Sequence, residues 1–239
     1  MTGTLPSPTA QPAEPLKLGM LLYPDITLLD LAGPQAALGP HGKTHLLWKS
    51  MSPVATDSGV SINPTTTFDD CPTDLDVLFV PGGFGTNAAM QDEEIVAFLT
   101  EAGKHARYVT SVCSGSLLLG MAGLLDGYKS ATHWAFYGAL EALGAEPVHQ
   151  RVVIDRNRIT GGGVTAGIDF GLTLLAALRG EQTAKVTQLM MAYDPQPPFD
   201  TGTPDRAGPE LTGIARALMG DMDSEATKTA KRRTLVPVR

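Results

Sequence analysis

Three glycine-rich turns, each placed where an apolar strand-like run ends, constrain the fold of this chain more than any other feature. Pro81–Gly85 (PGGFG) closes LDVLFV, Thr110–Ser116 (TSVCSGS) follows RYV, and Thr160–Gly167 (TGGGVTAG) follows VVIDRNRI. The last two each open a helix-like segment. Strand, glycine turn and helix in repetition predict an α/β fold, a mostly parallel sheet with helices on both faces. Ligands of such sheets bind beyond the carboxyl ends of the strands, where these turns gather. One glycine turn means little, because glycine serves any tight turn; three in corresponding places predict a site.

The rest of the chain reads the same way. Leu16–Tyr23, Thr44–Trp48, Leu75–Val80 and Arg107–Val112 are short apolar runs, as expected of strands buried on both faces. Between the last two, Ile95, Phe98, Leu99 and Ala102 recur at helical spacing behind Asp92, a suitable N-cap. Glu93 and Glu94 suit the positive end of that helix dipole. Further helices are expected at Ser114–Leu125, Thr132–Leu143, Thr165–Leu178 and Glu181–Tyr193. Val54–Phe68, alternating and rich in Thr and Ser, predicts a hairpin or edge ribbon.

The ends differ from this body. Residues 1–15 carry four prolines and no basic residue, which predicts a disordered tail rather than a secretory leader. Residues 16–198 then form one domain, with no internal repeat or boundary. Residues 199–239 are read as an extension, with an amphipathic helix at Leu211–Met222 and a basic end, KTAKRRTLVPVR, expected to be solvated.

Composition excludes several classes. Hydrophobic residues at 43% and charged ones at 18% of 239 residues supply a core, so global disorder is ruled out. Eighteen basic against twenty-five acidic side chains leave a formal charge of −7, which speaks against nucleic-acid and anionic-membrane partners. No apolar run approaches the roughly 18 residues of a bilayer span, and a cytoplasmic location is expected. The two cysteines, Cys71 and Cys113, are too few for a disulfide scaffold, and neither has metal-ligand spacing around it.

Cys113 is the most informative residue. Strand, then cysteine, then small residues opening a helix is the layout of a nucleophile elbow with sulfur in place of oxygen. Such a turn exposes the side chain above the sheet edge, and the helix that follows points unpaired N–H groups at it, favouring thiolate. Ser114 and Gly115 are small enough to let a substrate approach. Cys71, in DDCPTD, has no glycine turn and no basic neighbour, and reads as an inert thiol.

Asp30, in YPDITLLDLAGP, follows the first strand among Leu28, Leu29 and Leu31. Two readings stay open for it: a helix cap, or a carboxyl group beside the thiol whose pKa is raised for proton transfer. His133, in SATHWAF, lies near the elbow in sequence but reads as a structural histidine. No histidine here has Glu two residues on, so the usual partner of an amidotransferase cysteine is missing.

PGGFG, YVTSVCSGSLLLGMAGLLDGYKSATHW and TGGGVTAGIDF together resemble the ThiJ/PfpI superfamily, whose fold is flavodoxin-like and related to class I glutamine amidotransferases. The match runs from about Leu16 to about Pro198. Through LLDLAGP, HLLWK, the elbow and ATHWA the chain is most similar to the isonitrile hydratases of that superfamily. The resemblance implies a homodimer that adds water to an isonitrile, giving an N-substituted formamide, with no cofactor and no metal. It implies that Cys113 attacks the isonitrile carbon, that Asp30 is the acid/base group, and that the backbone N–H groups of Gly83 and Ser114 line the substrate pocket. The family commonly has threonine where Ser114 stands. Related branches imply other readings: a glyoxalase or deglycase, in which glutamate tends to replace Asp30, or a thiol sensor. Regulators with a similar domain append a helix-turn-helix region, for which the residues after Pro198 are expected to be too few.

Overall fold

Buried strands at the centre and exposed ribbons at the edges organise the protein, whose computed structural model describes residues 14–235. The first strand, β1 (Leu16–Leu21), is buried at every position except Lys17 and leads into α1 (Leu28–Leu38). A parallel strand β2 (Gly42–Trp48) follows, then the hairpin β3 (Val54–Ala55) and β4 (Ser61–Ile62) and the short β5 (Thr66–Thr67). Next come β6 (Val77–Val80), α2 (Thr86–Ala89), α3 (Glu93–His105), β7 (Tyr108–Val112) and α4 (Gly115–Met121). Two-residue strands β8 (Lys129–Ser130) and β9 (Glu146–Pro147) flank α5 (Tyr137–Ala142). The hairpin β10 (Val152–Asp155) and β11 (Arg158–Gly161), α6 (Ala166–Arg179), α7 (Glu181–Met190), α8 (Pro204–Met219) and α9 (Met222–Leu235) complete the order.

The main sheet runs β10-β11-β7-β6-β1-β2-β5, and only the β10–β11 pair is antiparallel. Its centre, β2-β1-β6-β7-β11, is the flavodoxin-like order, with the topological switch between β1 and β6. Helices α1, α6 and α7 pack together as one layer, and α2, α3, α4, α5 and α9 as the other. Asp92 caps α3 as expected, accepting the N–H groups of Glu94 and Ile95. Val54–Phe68 supplies both expected forms, a hairpin and then an edge strand beside β2. No helix is long and apolar enough to cross a membrane among the described residues.

Four expectations need correction. The helix expected over Thr132–Leu143 shrinks to α5, because Thr132 is tied to the elbow through a bond from its Oγ1 to the Cys113 carbonyl (3.1 Å). VVIDRNRI is a hairpin, with Arg156 at φ 55° in its turn, and only its second arm lies beside β7. The basic end is not a solvated tail through Leu235. It forms α9, which seats the fully buried Ala226 and Ala230 against the domain and packs on α5. Arg233 of that helix pairs with Asp126 and donates to the Leu143 carbonyl. Helix α8 starts at Pro204, earlier than expected, bends at Gly208 (φ 76°) and buries none of its residues. The proline-rich tail lies outside the described residues but for Glu14 and Pro15.

Candidate active site

Cys113 occupies the sharp turn between β7 and α4 at φ 55°, a left-handed conformation that costs a side-chain-bearing residue about 1–3 kcal/mol. The strain is held in place from both sides. The Cys113 N–H lies within bonding distance of the Gly161 and Gly162 carbonyls after β11 (3.1 and 2.7 Å), and its carbonyl accepts from Thr132 and Ser116. Beside it, Gly82 has no room for a side chain: a Cβ there would lie 2.5 Å from the Ser114 nitrogen and 2.8 Å from the Cys113 Cβ. Backbone atoms of the turn after β6 therefore press directly on the elbow.

Asp30 lies in the first turn of α1 and is fully buried. It is not a cap. Its Oδ2 accepts the Gly82 N–H across the sheet edge (2.9 Å), while its Oδ1 is buried with no conventional hydrogen-bond partner. The start of α1 is capped instead by Asp57, from the β3–β4 turn, whose Oδ1 accepts the Leu28 N–H (3.2 Å). Between the two readings of Asp30, the structure supports the carboxyl group beside the thiol.

Electrostatics couple the pair. Burial raises the Asp30 pKa to about 7; the Gly82 N–H and the Cys113 side chain pull it down, and Asp57 pushes it up. Burial, then the charge of Asp30, drives the Cys113 thiol well above its ordinary value. The N–H groups of Ser114 and Val164 oppose that rise without overcoming it. The expectation that the helix N-terminus yields a resting thiolate is thus reversed: two acids buried together do not both ionise. Cys71 is a free, half-buried thiol that donates weakly to the Pro72 carbonyl, and burial raises it to about 11.

Gly83 and Ser114 are both brought to the elbow, but only the Ser114 N–H faces the thiol, while the Gly83 N–H is taken up by the Ser114 side chain. The Gly83 N–H donates to Ser114 Oγ (3.1 Å), which in turn meets Thr86 Oγ1 (2.7 Å). Thr86 also donates to the Gly83 carbonyl (2.7 Å) and touches the Tyr23 hydroxyl, which donates to the Pro81 carbonyl. This buried hydroxyl chain clamps the 81–83 turn and so aims the Gly82 N–H at Asp30. Tyr23, Asp57, Thr86 and Thr132 escaped the sequence reading, since each meets the site through a contact between distant segments, whereas Gly82 and Val164 lie in two of the glycine turns that predicted it.

Beside the elbow opens a cleft of about 620 Å³. Thr132, Gly162 and Val164, each hydrogen-bonded to Cys113, line it together with Trp134 and Tyr137. Residues 202–205 and Arg216, from the chain beyond residue 198, also line it, so that extension shapes the cleft. No cluster of three or more His, Cys, Asp or Glu suited to a metal ion occurs among the described residues.

Sheet order, an elbow cysteine at positive φ and a buried carboxyl group at the switch point define the class: a flavodoxin-like α/β protein with a thiol at its nucleophile elbow. Residues 17–177 match the DJ-1/PfpI family, and the chain belongs to it. It is 51% identical over 203 residues to the isonitrile hydratase of Pseudomonas putida, covering 84% of this chain and 89% of that one. A crystal structure of a ThiJ/PfpI family protein from Pseudomonas syringae superposes with a TM-score of 0.90 at 46% identity, covering 96% and 97% of the two chains. The transcriptional regulator GbdR of Pseudomonas aeruginosa is 32% identical over 204 residues, 81% of this chain but 55% of the regulator.

Proposed function

We propose that the protein is an isonitrile hydratase that uses Cys113 as nucleophile and Asp30 as its proton shuttle. The observation that carries this reading is the buried Asp30 carboxyl group, raised to about 7 beside the elbow thiol, in a chain half identical to a known isonitrile hydratase. An acid/base group works best with a pKa near the working pH. In the first step sulfur bonds to the isonitrile carbon, and the thiol proton passes through Asp30 to the same carbon, giving a thioimidate on Cys113. Asp30, again ionised, takes a proton from water as the oxygen adds to that carbon. Asp30 hands that proton to the substrate nitrogen; as the C–S bond breaks and the carbonyl forms, Asp30 takes the remaining hydroxyl proton and passes it to sulfur. One isonitrile and one water become one N-substituted formamide, with no metal or organic cofactor in the scheme.

Incubation with phenyl isonitrile should produce formanilide, followed by chromatography; no product above a protein-free control would refute the reading. A thiol sensor needs an accessible thiol of low pKa. Cys113 is only 6% exposed and its thiol is pushed up, which favours the enzyme. The same reading makes the protein a cytoplasmic homodimer, which light scattering tests for the assembly.

A further inference from the structure

The cleft beside Cys113 carries groups that the proposed chemistry leaves unused. His133 lines it, and its Nδ1 accepts the Ala135 N–H (3.4 Å). The neutral ring therefore keeps its proton on Nε2, and no acceptor for that proton occurs among the described residues. Burial, and then the charge of Arg216, lowers the His133 pKa to about 4, so the ring is a neutral donor at physiological pH. Its ring packs beside Trp134 and Phe136 (centres 5.1 and 5.9 Å away), and it lies close enough to Gly163 that a Cβ there would be 3.0 Å from the imidazole Cδ2.

Arg216 of α8 reaches the same cleft, its guanidinium carbon 5.1 Å from the centre of the Trp134 ring. Its ion-pair partner Asp223 is 3.9 Å away, and the two side chains are about half exposed, so the pair is weak. The other cleft cation, Arg151, is taken up by Asp169 and the Thr165 carbonyl. Asp205 also lines the cleft, but the charge felt by His133 is that of Arg216. A neutral N–H donor and an underused guanidinium thus share one cleft with the Trp134 ring, whose centre lies 5.1 Å from the His133 ring centre and 5.1 Å from the guanidinium carbon. That combination matches a carboxylate, which accepts from both.

We infer that the cleft selects isonitriles whose substituent carries a carboxylate, held by His133 Nε2 and the Arg216 guanidinium with Trp134 as the supporting wall. The inference rests on the proposed function for the reacting group, while the carboxylate selectivity can be tested without turnover. The test uses Cys113→Ala protein, titrated calorimetrically with 4-formamidobenzoate and with its methyl ester. The acid should bind about 10-fold or more tightly than the ester, the scale of a charge-assisted contact. Arg216→Gln and His133→Phe, each added to that background, should shrink the preference, and Arg216→Lys should keep part of it. Circular dichroism identifies a variant that fails to fold. Equal binding of acid and ester, or a preference unchanged in folded Arg216→Gln, would overturn the inference.

Turnover of 4-isocyanobenzoate and its methyl ester by the unsubstituted protein separates the two claims. A higher kcat/KM for the acid supports both. Turnover of neither, with acid-selective binding retained, sinks the proposed function and leaves the anion-selective cleft standing. Equal turnover with equal binding sinks the cleft alone.

Discussion

Asp57 caps the helix that carries Asp30: its Oδ1 accepts the Leu28 N–H, two residues before the buried acid, at 3.2 Å. A surface hairpin thereby contributes both a hydrogen bond that fixes α1 and a negative charge that raises the Asp30 pKa. Asp57→Asn keeps an acceptor for Leu28 and removes the charge. The Asp30 pKa should fall below about 7, and the corresponding limb of the pH–kcat/KM profile should move to lower pH. A profile that does not move would show that Asp57 acts only as a cap.

Gly82 permits the closest backbone approach in the site. Gly82→Ala drives a methyl group into the Ser114 nitrogen and the Cys113 Cβ, so the 81–83 turn must withdraw and take its N–H away from Asp30. Overpacking of this kind costs about 1–3 kcal/mol, and turnover should fall with it. Gly127→Ala is the comparison: that glycine has φ 68° and no atom within 4 Å of a built Cβ, so the substitution meets strain but no clash. It should cost only about 1 kcal/mol and leave turnover near its starting value. Urea denaturation and the formamide assay on both variants check the contrast.

The strands and the elbow were legible because they obey local rules. Apolar runs at Leu16–Leu21 and Val77–Val80 have no other use than burial on two faces, and a cysteine between a strand and small residues admits few conformations. The ring around Cys113 was not legible. Asp57 meets Leu28, Thr86 meets Ser114 and Thr132 meets Cys113 across sequence gaps that no periodicity marks. Helix α9 hid for a different reason. Its buried face is Ala226, Thr229 and Ala230, set among Lys, Arg, Asp and Glu, and such small residues add little to a hydrophobic pattern while allowing close packing on α5.

A buried acid is a liability to the fold. The Asp30 pKa is raised to about 7 from an unfolded value near 3.9, so the native state holds its proton more tightly. Its stabilising protonation is fully present below pH ~4 and is lost as pH rises towards 7. At pH 8 the uncompensated charge costs the native state up to about 4 kcal/mol by that linkage. Asp30→Asn keeps the size and an oxygen for the Gly82 N–H, so it should be more stable than the parent at pH 8 by part of that amount. The advantage should shrink as pH is lowered to 4. Denaturant midpoints at both pH values measure it, and a variant less stable at pH 8 would contradict the assigned strain.

The same substitution should move thiol reactivity and turnover in opposite directions. Burial holds the Cys113 thiol up first, and the Asp30 charge adds to it; Asn at position 30 removes the second cause and leaves the first. The thiolate fraction at pH 7 should therefore rise, and iodoacetamide should label Cys113 faster in Asp30→Asn than in the parent. Cys71, held at about 11 by burial alone, serves as the internal reference on the same chain. Hydration of an isonitrile needs more than a thiolate, because a proton must reach the substrate carbon and another must leave the attacking water. With that shuttle gone, turnover should fall by about 10²-fold or more, the usual scale of a general acid/base, and Cys113→Ala should abolish it. A protein that served only as a thiol sensor would show faster labelling with no turnover to lose. Peptide mass spectrometry of the labelled thiols, run beside the formamide assay, separates the two; faster labelling accompanied by unchanged turnover would remove Asp30 from the mechanism.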